Sequence, residues 1–230
     1  MPDAAPLGAG GVGPPVSVEV GPPLTALGRA LFLRPAVEVA PLLLGGILSR
    51  TSPEGTVAVR ITEVEAYLGV GEDPGSHSFR GQTRSNSVMF GEPLRLYTYF
   101  TYGMHTCANI VCSAPGTASG VLLRAGEIVE GVDLAQHRRG PAVKLRDLAR
   151  GPARLVVALG IPLDDGGADL TEVPYALRMP VHPSPVATSP RTGLGGPGGT
   201  PVYPWRFFIP GDPTVSPYKR HPRLPPFETA

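Results

Sequence analysis

Leu96-Tyr-Thr-Tyr-Phe-Thr-Tyr-Gly-Met-His-Thr-Cys-Ala-Asn-Ile-Val111 is the stretch from which the fold is read. Aromatic and β-branched residues flank Tyr102-Gly103, and Gly103 can take the positive φ of a tight turn, so an antiparallel hairpin is expected. Tyr102 and Met104 then lie at its tip. An exposed ring beside a turn glycine is costly in water, so Tyr102 is either a cap on the core or a wedge meant for something outside the protein. Cys107 and Cys112 point to opposite faces of the returning arm and are read as reduced core thiols. The five histidines are scattered, and neither a metal nor a cofactor is expected.

Upstream, Ile47–Arg50 and Val57–Ala66 read as strands joined by a Pro/Gly loop. In the second, Val57, Val59, Ile61, Glu63 and Glu65 share one face, so the apolar row turns acidic at its end. Carboxylates continuing an inward-facing row belong at the rim of the core or in a pocket, where burial raises their pKa. Gly69–Gly91 is a polar loop longer than most connections and carries His77, Arg80, Gln82, Thr83, Arg84 and Asn86. Leu24–Leu31 and Val37–Leu44 suit short helices ended by Pro35 and by Gly45-Gly46.

Downstream, Gly120–Ala125 reads as a buried strand whose one charge, Arg124, needs a partner such as Glu65. Helices are expected over Leu134–Arg139, Val143–Leu148 and Pro152–Leu159, the last started by its proline and stopped by Gly160. Pro180–Pro201 reads as a loop and Trp205–Ile209 as a last strand. The segment His137–Arg154 and the end of the chain, with Lys219, Arg220 and Arg223, form basic patches that suit phosphates or, equally, a solvated face.

The chain of 230 residues is long enough for one sizeable core, and its 42% hydrophobic content is that of a globular protein. Its net charge of +1 exerts no global pull on nucleic acid. Gly and Pro make up about a quarter of it, so loops and disordered ends are expected. With no membrane-length apolar run and no secretory start, a cytoplasmic protein is expected, associated with the nucleoid if bacterial. The expected organisation is a Gly/Pro-rich tail over 1–23, one domain over 24–216 and a basic tail over 217–230.

Glu-Val-Glu-Ala-Tyr-Leu-Gly (63–69), Asn-Ser-Val-Met-Phe (86–90), Tyr-Thr-Tyr-Phe-Thr-Tyr-Gly-Met-His (97–105), Val-Leu-Leu-Arg-Ala (121–125), Gly-Pro-Ala-Arg-Leu (151–155), Pro-Arg-Thr-Gly (190–193) and Pro-Trp-Arg-Phe (204–207) together resemble the alkyladenine type of 3-methyladenine DNA glycosylase. The resemblance runs in order from Leu24 to Ser216. It implies a single α+β domain, a curved antiparallel sheet with surrounding helices and a protruding DNA-inserting hairpin. It also implies a monomer that flips a damaged purine out of double-stranded DNA and hydrolyses its N-glycosidic bond. Carried over residue by residue, Glu65 is the general base with Arg124 positioning it, and Tyr67, His77 and Tyr99 are the pocket walls. Asn109 discriminates against the amino group of guanine, while Tyr102, with Met104 beside it, fills the gap left by the flipped nucleotide. Neither lysine lies in the pocket motifs, so hydrolysis without strand cleavage is expected.

Two departures from the family pattern stand out. Gln82-Thr83-Arg84-Ser85-Asn86 lacks the usual Thr-Pro-Arg-Asn order, and Ala108 replaces a larger residue, which is expected to enlarge the pocket. Two other functions compete with the family reading. Glu63 and Glu65 on one strand face stand ~6.6 Å apart by strand rise, which suits an inverting carbohydrate glycosidase. A non-catalytic protein that flips damaged bases is the other.

Overall fold

The computed structural model describes residues 19–101 and 103–225. Ten strands form one open antiparallel sheet: β1 (Val20–Pro23), β2 (Ile47–Ser52), β3 (Gly55–Tyr67), β4 (Leu96–Thr101), β5 (His105–Val111), β6 (Gly120–Glu130), β7 (Ala149–Arg150), β8 (Tyr175–Pro180), β9 (Ala187–Ser189) and β10 (Arg206–Phe208). The main path runs β1-β8-β2-β3-β6-β5-β4. Three α-helices pack on it: α1 (Ala36–Leu43), α2 (Val132–Arg139) and α3 (Pro152–Leu159). The fold is α+β, as expected.

The long β3 organises the site. One edge pairs with β6 along most of its length, while the other is shared, β2 taking Gly55–Arg60 and β10 taking Glu63–Glu65. The acidic end of β3 therefore lies between β6 and β10. Two register irregularities bracket Glu63 in the β3–β6 pairing, and an extra residue in one strand moves its side chains to the other face. The core row accordingly passes from Val57, Val59 and Ile61 to Val64 and Ala66. This corrects the expected pattern, because Glu63 and Glu65 leave the apolar row and occupy the opposite face.

The same alternation sorts β4, β5 and β6. Leu96, Ala108, Ile110, Val121 and Leu123 pack into the main core with the helices, which leaves Tyr97, Tyr99, Cys107, Asn109, Leu122 and Arg124 on the other side. Gly103 has φ +66°, as the turn chemistry requires. α3 begins at Pro152 and ends at the left-handed Gly160, as read from sequence.

Other expectations are corrected. Leu24–Leu31 is replaced by a 3-10 helix over Ala26–Leu33. Val143–Leu148 holds only a 3-10 turn, Leu145–Asp147, since Leu145 is exposed and Leu148 alone offers a buried anchor. β8 was not foreseen, although it buries Tyr175 and Leu177 against β2. Val20–Pro23, read as tail, pairs with β8, and Leu224 near the other end is buried. Among the described residues no helix is long and apolar enough to cross a membrane.

Candidate active site

Strand pairing lays one row of side chains across the sheet. Tyr97 faces Asn109, Asn109 faces Leu122, Leu122 faces Glu65, and Glu65 faces Arg206. One step along the strands, Tyr99 faces Cys107. This polar and aromatic face is the floor of a cavity of about 250 Å³, closed by Gly75–His77 from the long loop, Thr192–Leu194 from the loop before β10, and Pro152–Ala153 at the start of α3.

Glu65 is fully buried on that floor, and both its oxygens are held. Oε1 accepts the Thr192 N–H at 2.7 Å and faces Arg124 Nη1 at 3.3 Å, while Oε2 accepts the Tyr67 hydroxyl at 2.9 Å. A carboxylate has about four lone-pair sites, so one remains for a further donor such as water. Glu65 touches the cavity, which a base that activates a bound water must do.

Glu63 has a different surrounding. Its Oε1 accepts Arg206 Nε at 2.6 Å, Arg124 Nε at 2.8 Å and the Ser216 hydroxyl at 2.9 Å, and its Oε2 accepts the Ser216 N–H at 2.6 Å. Burial pushes its pKa up, but the Arg124 and Arg206 charges and these hydrogen bonds outweigh it and hold the carboxyl below its ordinary value. The expectation of a raised pKa is thereby corrected for Glu63. Saturated with donors and away from the cavity lining, Glu63 cannot serve as a second catalytic carboxylate, which removes the reading as an inverting carbohydrate glycosidase.

Arg124 bridges the two acids. Burial lowers its pKa and the two carboxylates raise it, with a net increase that keeps the guanidinium charged.

The aromatic residues cluster as expected and gain one that sequence reasoning missed. His77 packs edge-on against Tyr99 with ring centroids 4.5 Å apart, and its Nδ1 lies 3.2 Å from the Tyr97 hydroxyl. Tyr97 in turn stacks on Tyr99 at 5.6 Å. Tyr97 was discoverable, since it stands two residues before Tyr99 and so shares its face. Desolvation holds the His77 imidazole below its ordinary value, so the ring is neutral at neutral pH. Asn109 is buried, and its amide donates to the Tyr97 carbonyl at 3.3 Å. Asn86 anchors the long loop by accepting from the Thr83 N–H and donating to the carbonyls of His77 and Gly81.

The sequence profile of the family described as methylpurine-DNA glycosylase matches residues 30–213. The chain belongs to that family. It is therefore a DNA glycosylase, an enzyme of DNA repair. Three bacterial relatives, each named "Putative 3-methyladenine DNA glycosylase", align over nearly their whole length. The Leifsonia xyli protein is 61% identical over 85% of this chain and 93% of its own. The Streptomyces avermitilis protein is 52% identical over 87% and 95%, and the Nocardia farcinica protein 46% over 78% and 87%.

All the residues assigned to the glycosylase's chemistry and pocket, Glu65, Arg124, Tyr67, His77, Tyr99 and Asn109, line this one cavity. Met104 is exposed near the turn. Tyr102 lies outside the described residues. Cys107 and Cys112 are both free and buried, as expected; Cys107 also lines the cavity floor, while Cys112 packs in the main core. Ala108 is corrected too: it is fully buried on the core side of β5, with its Cβ turned away from the glycosylase pocket.

Of the arginines in the basic segment, Arg138, Arg139 and Arg150 are committed to their own chain through Glu54, the Leu148 carbonyl and the Val215 carbonyl. Arg154 and Lys144 remain exposed. Thr192 and Arg191 went unassigned in the sequence, although Pro-Arg-Thr-Gly was among its recognisable strings.

Proposed function

We propose that this glycosylase flips an alkylated or deaminated purine out of duplex DNA into the cavity and hydrolyses its N-glycosidic bond, leaving an abasic site with the strand intact. The observation that carries this reading is the placement of Glu65, a buried carboxylate with two fixed donors and an open side toward an aromatic-lined cavity. Glu65 orients and deprotonates the attacking water, Arg124 holds Glu65, and the negative charge favours the oxocarbenium-like sugar in the transition state.

The cavity size fits one planar base, being below the roughly 300–1,000 Å³ of sites for drug-sized ligands. Tyr67, His77 and Tyr99 supply π surface for an electron-poor alkylated ring, worth about 1–3 kcal/mol per base. The neutral state of His77 suits a lesion that is itself cationic. Asn109 projects from the floor and disfavours the exocyclic amino group of guanine. Tyr102 and Met104 enter the duplex in place of the flipped nucleotide.

Among the described residues lining the cavity there is no lysine. Simple hydrolysis is thus the mechanism proposed, since a lyase step needs an amine to attack C1′.

The test is incubation with duplexes carrying 3-methyladenine, 7-methylguanine, 1,N6-ethenoadenine or hypoxanthine, followed by an assay for abasic sites with and without alkali. Abasic sites that break only on alkali treatment are expected. Breakage without alkali would reject the proposed absence of strand cleavage. Tight binding without excision would favour a damage-binding protein.

A further inference from the structure

Arg191 and Asp73 form a fully buried pair for which the chemistry above has no use. The guanidinium meets the carboxylate in a two-pronged contact, Nη1 to Oδ2 and Nη2 to Oδ1, both at 2.6 Å. Nη1 also donates to the Ala66 carbonyl at 3.0 Å, and Nη2 and Nε donate to the Gly198 carbonyl at 2.8 and 3.3 Å. A guanidinium has five N–H groups, and all are spent inside the protein. None is left for a DNA phosphate.

Asp73 is just as fully used, because it also accepts the N–H groups of Leu68 and Gly75. Glycines make room for the contact: a Cβ on Gly75 would stand 2.7 Å from Arg191 Nη2, and one on Gly198 would stand 3.0 Å from it.

The segments joined here carry the active site. Ala66 lies between Glu65 and Tyr67, and the guanidinium stacks 4.5 Å from the centre of the Tyr67 ring. Asp73 fixes the start of the loop that presents Gly75, Ser76 and His77 to the cavity. Thr192, the next residue after Arg191, donates its N–H to Glu65.

We propose that the Arg191–Asp73 pair is the positioning device of this site, fixing the catalytic carboxylate and the base-recognition walls relative to each other; this rests on the role proposed for Glu65. Stability alone does not single out an ion pair here, because a packed apolar pair of similar volume often stabilises a fold as well or better. What an arginine adds is direction. Its planar fork bonds three chain segments at set angles, which a lysine cannot reproduce. Displacing a reacting group by about 1 Å costs on the order of 10²-fold in rate.

Single-turnover excision of 1,N6-ethenoadenine or 3-methyladenine, whichever the wild type removes faster, tests this in Arg191→Lys and Asp73→Asn. Each substitution is also made on a Glu65→Gln background, whose residual rate is followed over long incubations. Asp169→Asn, which cuts a partly buried ion pair to Arg29 away from the cavity, is the stability control. Circular dichroism sets a temperature at which the variants are folded, and Asp73→Asn serves if Arg191→Lys does not fold.

The expected result is a fall of roughly 10²-fold in each single variant, a wild-type rate in Asp169→Asn, and a much smaller fall when either substitution is added to Glu65→Gln, where only the walls remain to be displaced. An unchanged rate, an equal fall on the Glu65→Gln background, or failure of both variants to fold would overturn the proposal in favour of a purely structural pair. A wild type that excises none of the lesions would instead sink the reading of Glu65 as a catalytic base.

Discussion

The main-chain N–H of Thr192 donates to Glu65 Oε1 at 2.7 Å, so a loop far along the chain fixes the carboxylate that lies on the sheet. Arg124 approaches the same oxygen at 3.3 Å. Oε1 is thus held from two directions and Oε2 by the Tyr67 hydroxyl, and the residues that bond these partners become as informative as the carboxylate itself.

Glu63 should matter for stability before catalysis. Glu63→Gln leaves the buried Arg206 without a carboxylate and Arg124 with Glu65 alone, and breaking one side of such a network costs about 3–5 kcal/mol. The pH dependence follows from the lowered folded-state pKa. Stability from this group is fully present above the unfolded value, near 4.5, and is lost as pH falls through the depressed folded value. Denaturant titrations from neutral pH downward should therefore show the gap between wild type and Glu63→Gln narrowing in acid. A constant gap would contradict this.

His77 should titrate below the ordinary imidazole value of about 6.5, because its ring is desolvated against Tyr97 and Tyr99. NMR of the imidazole protons measures this directly, with His77→Asn assigning the resonance. A midpoint above the ordinary value would show that the ring is charged in the neutral range and would remove the electrostatic fit to a cationic base.

Ala108→Met should destabilise the protein without altering lesion choice. The side chain faces the packed core, and added methylenes in such a site cost about 1–3 kcal/mol. Thermal denaturation together with excision of several lesions gives both readouts. A changed ratio among lesions would restore the view that this position shapes the pocket.

Asn109→Ser should relax discrimination. Removing the amide from the floor opens space beside the base, and a small change in a pocket shifts selectivity by roughly tenfold or more. The rate for 7-methylguanine relative to 1,N6-ethenoadenine should rise. An unchanged ratio would leave Asn109 as a hydrogen-bonding partner of Tyr97 alone.

Much of this site was legible in the sequence because local periodicity decides it. The arms around Gly103 alternate, so Tyr99 and Asn109 had to share a face once the turn was placed, and Tyr97 and Cys107 with them. The catalytic and pocket residues carried over by resemblance, Glu65, Arg124, Tyr67, His77, Tyr99 and Asn109, line one cavity. What stayed hidden depends on partner strands and distant chain. The step in the core row around Glu63 arises from its register with β6, which no pattern within β3 discloses. Arg191 and Asp73 are 118 residues apart, and nothing in either neighbourhood names the other. β8 escaped notice because Tyr175–Pro180 is short and followed by a Pro-rich loop.

The most direct measurement is single-turnover excision by Glu65→Gln against wild type, on a duplex carrying the fastest-removed lesion, with binding to an uncleavable abasic-site duplex measured in parallel. Loss of a general base should cost about 10²- to 10⁴-fold in rate, with binding preserved. Excision at the wild-type rate would contradict the assignment of Glu65 as the residue that activates water.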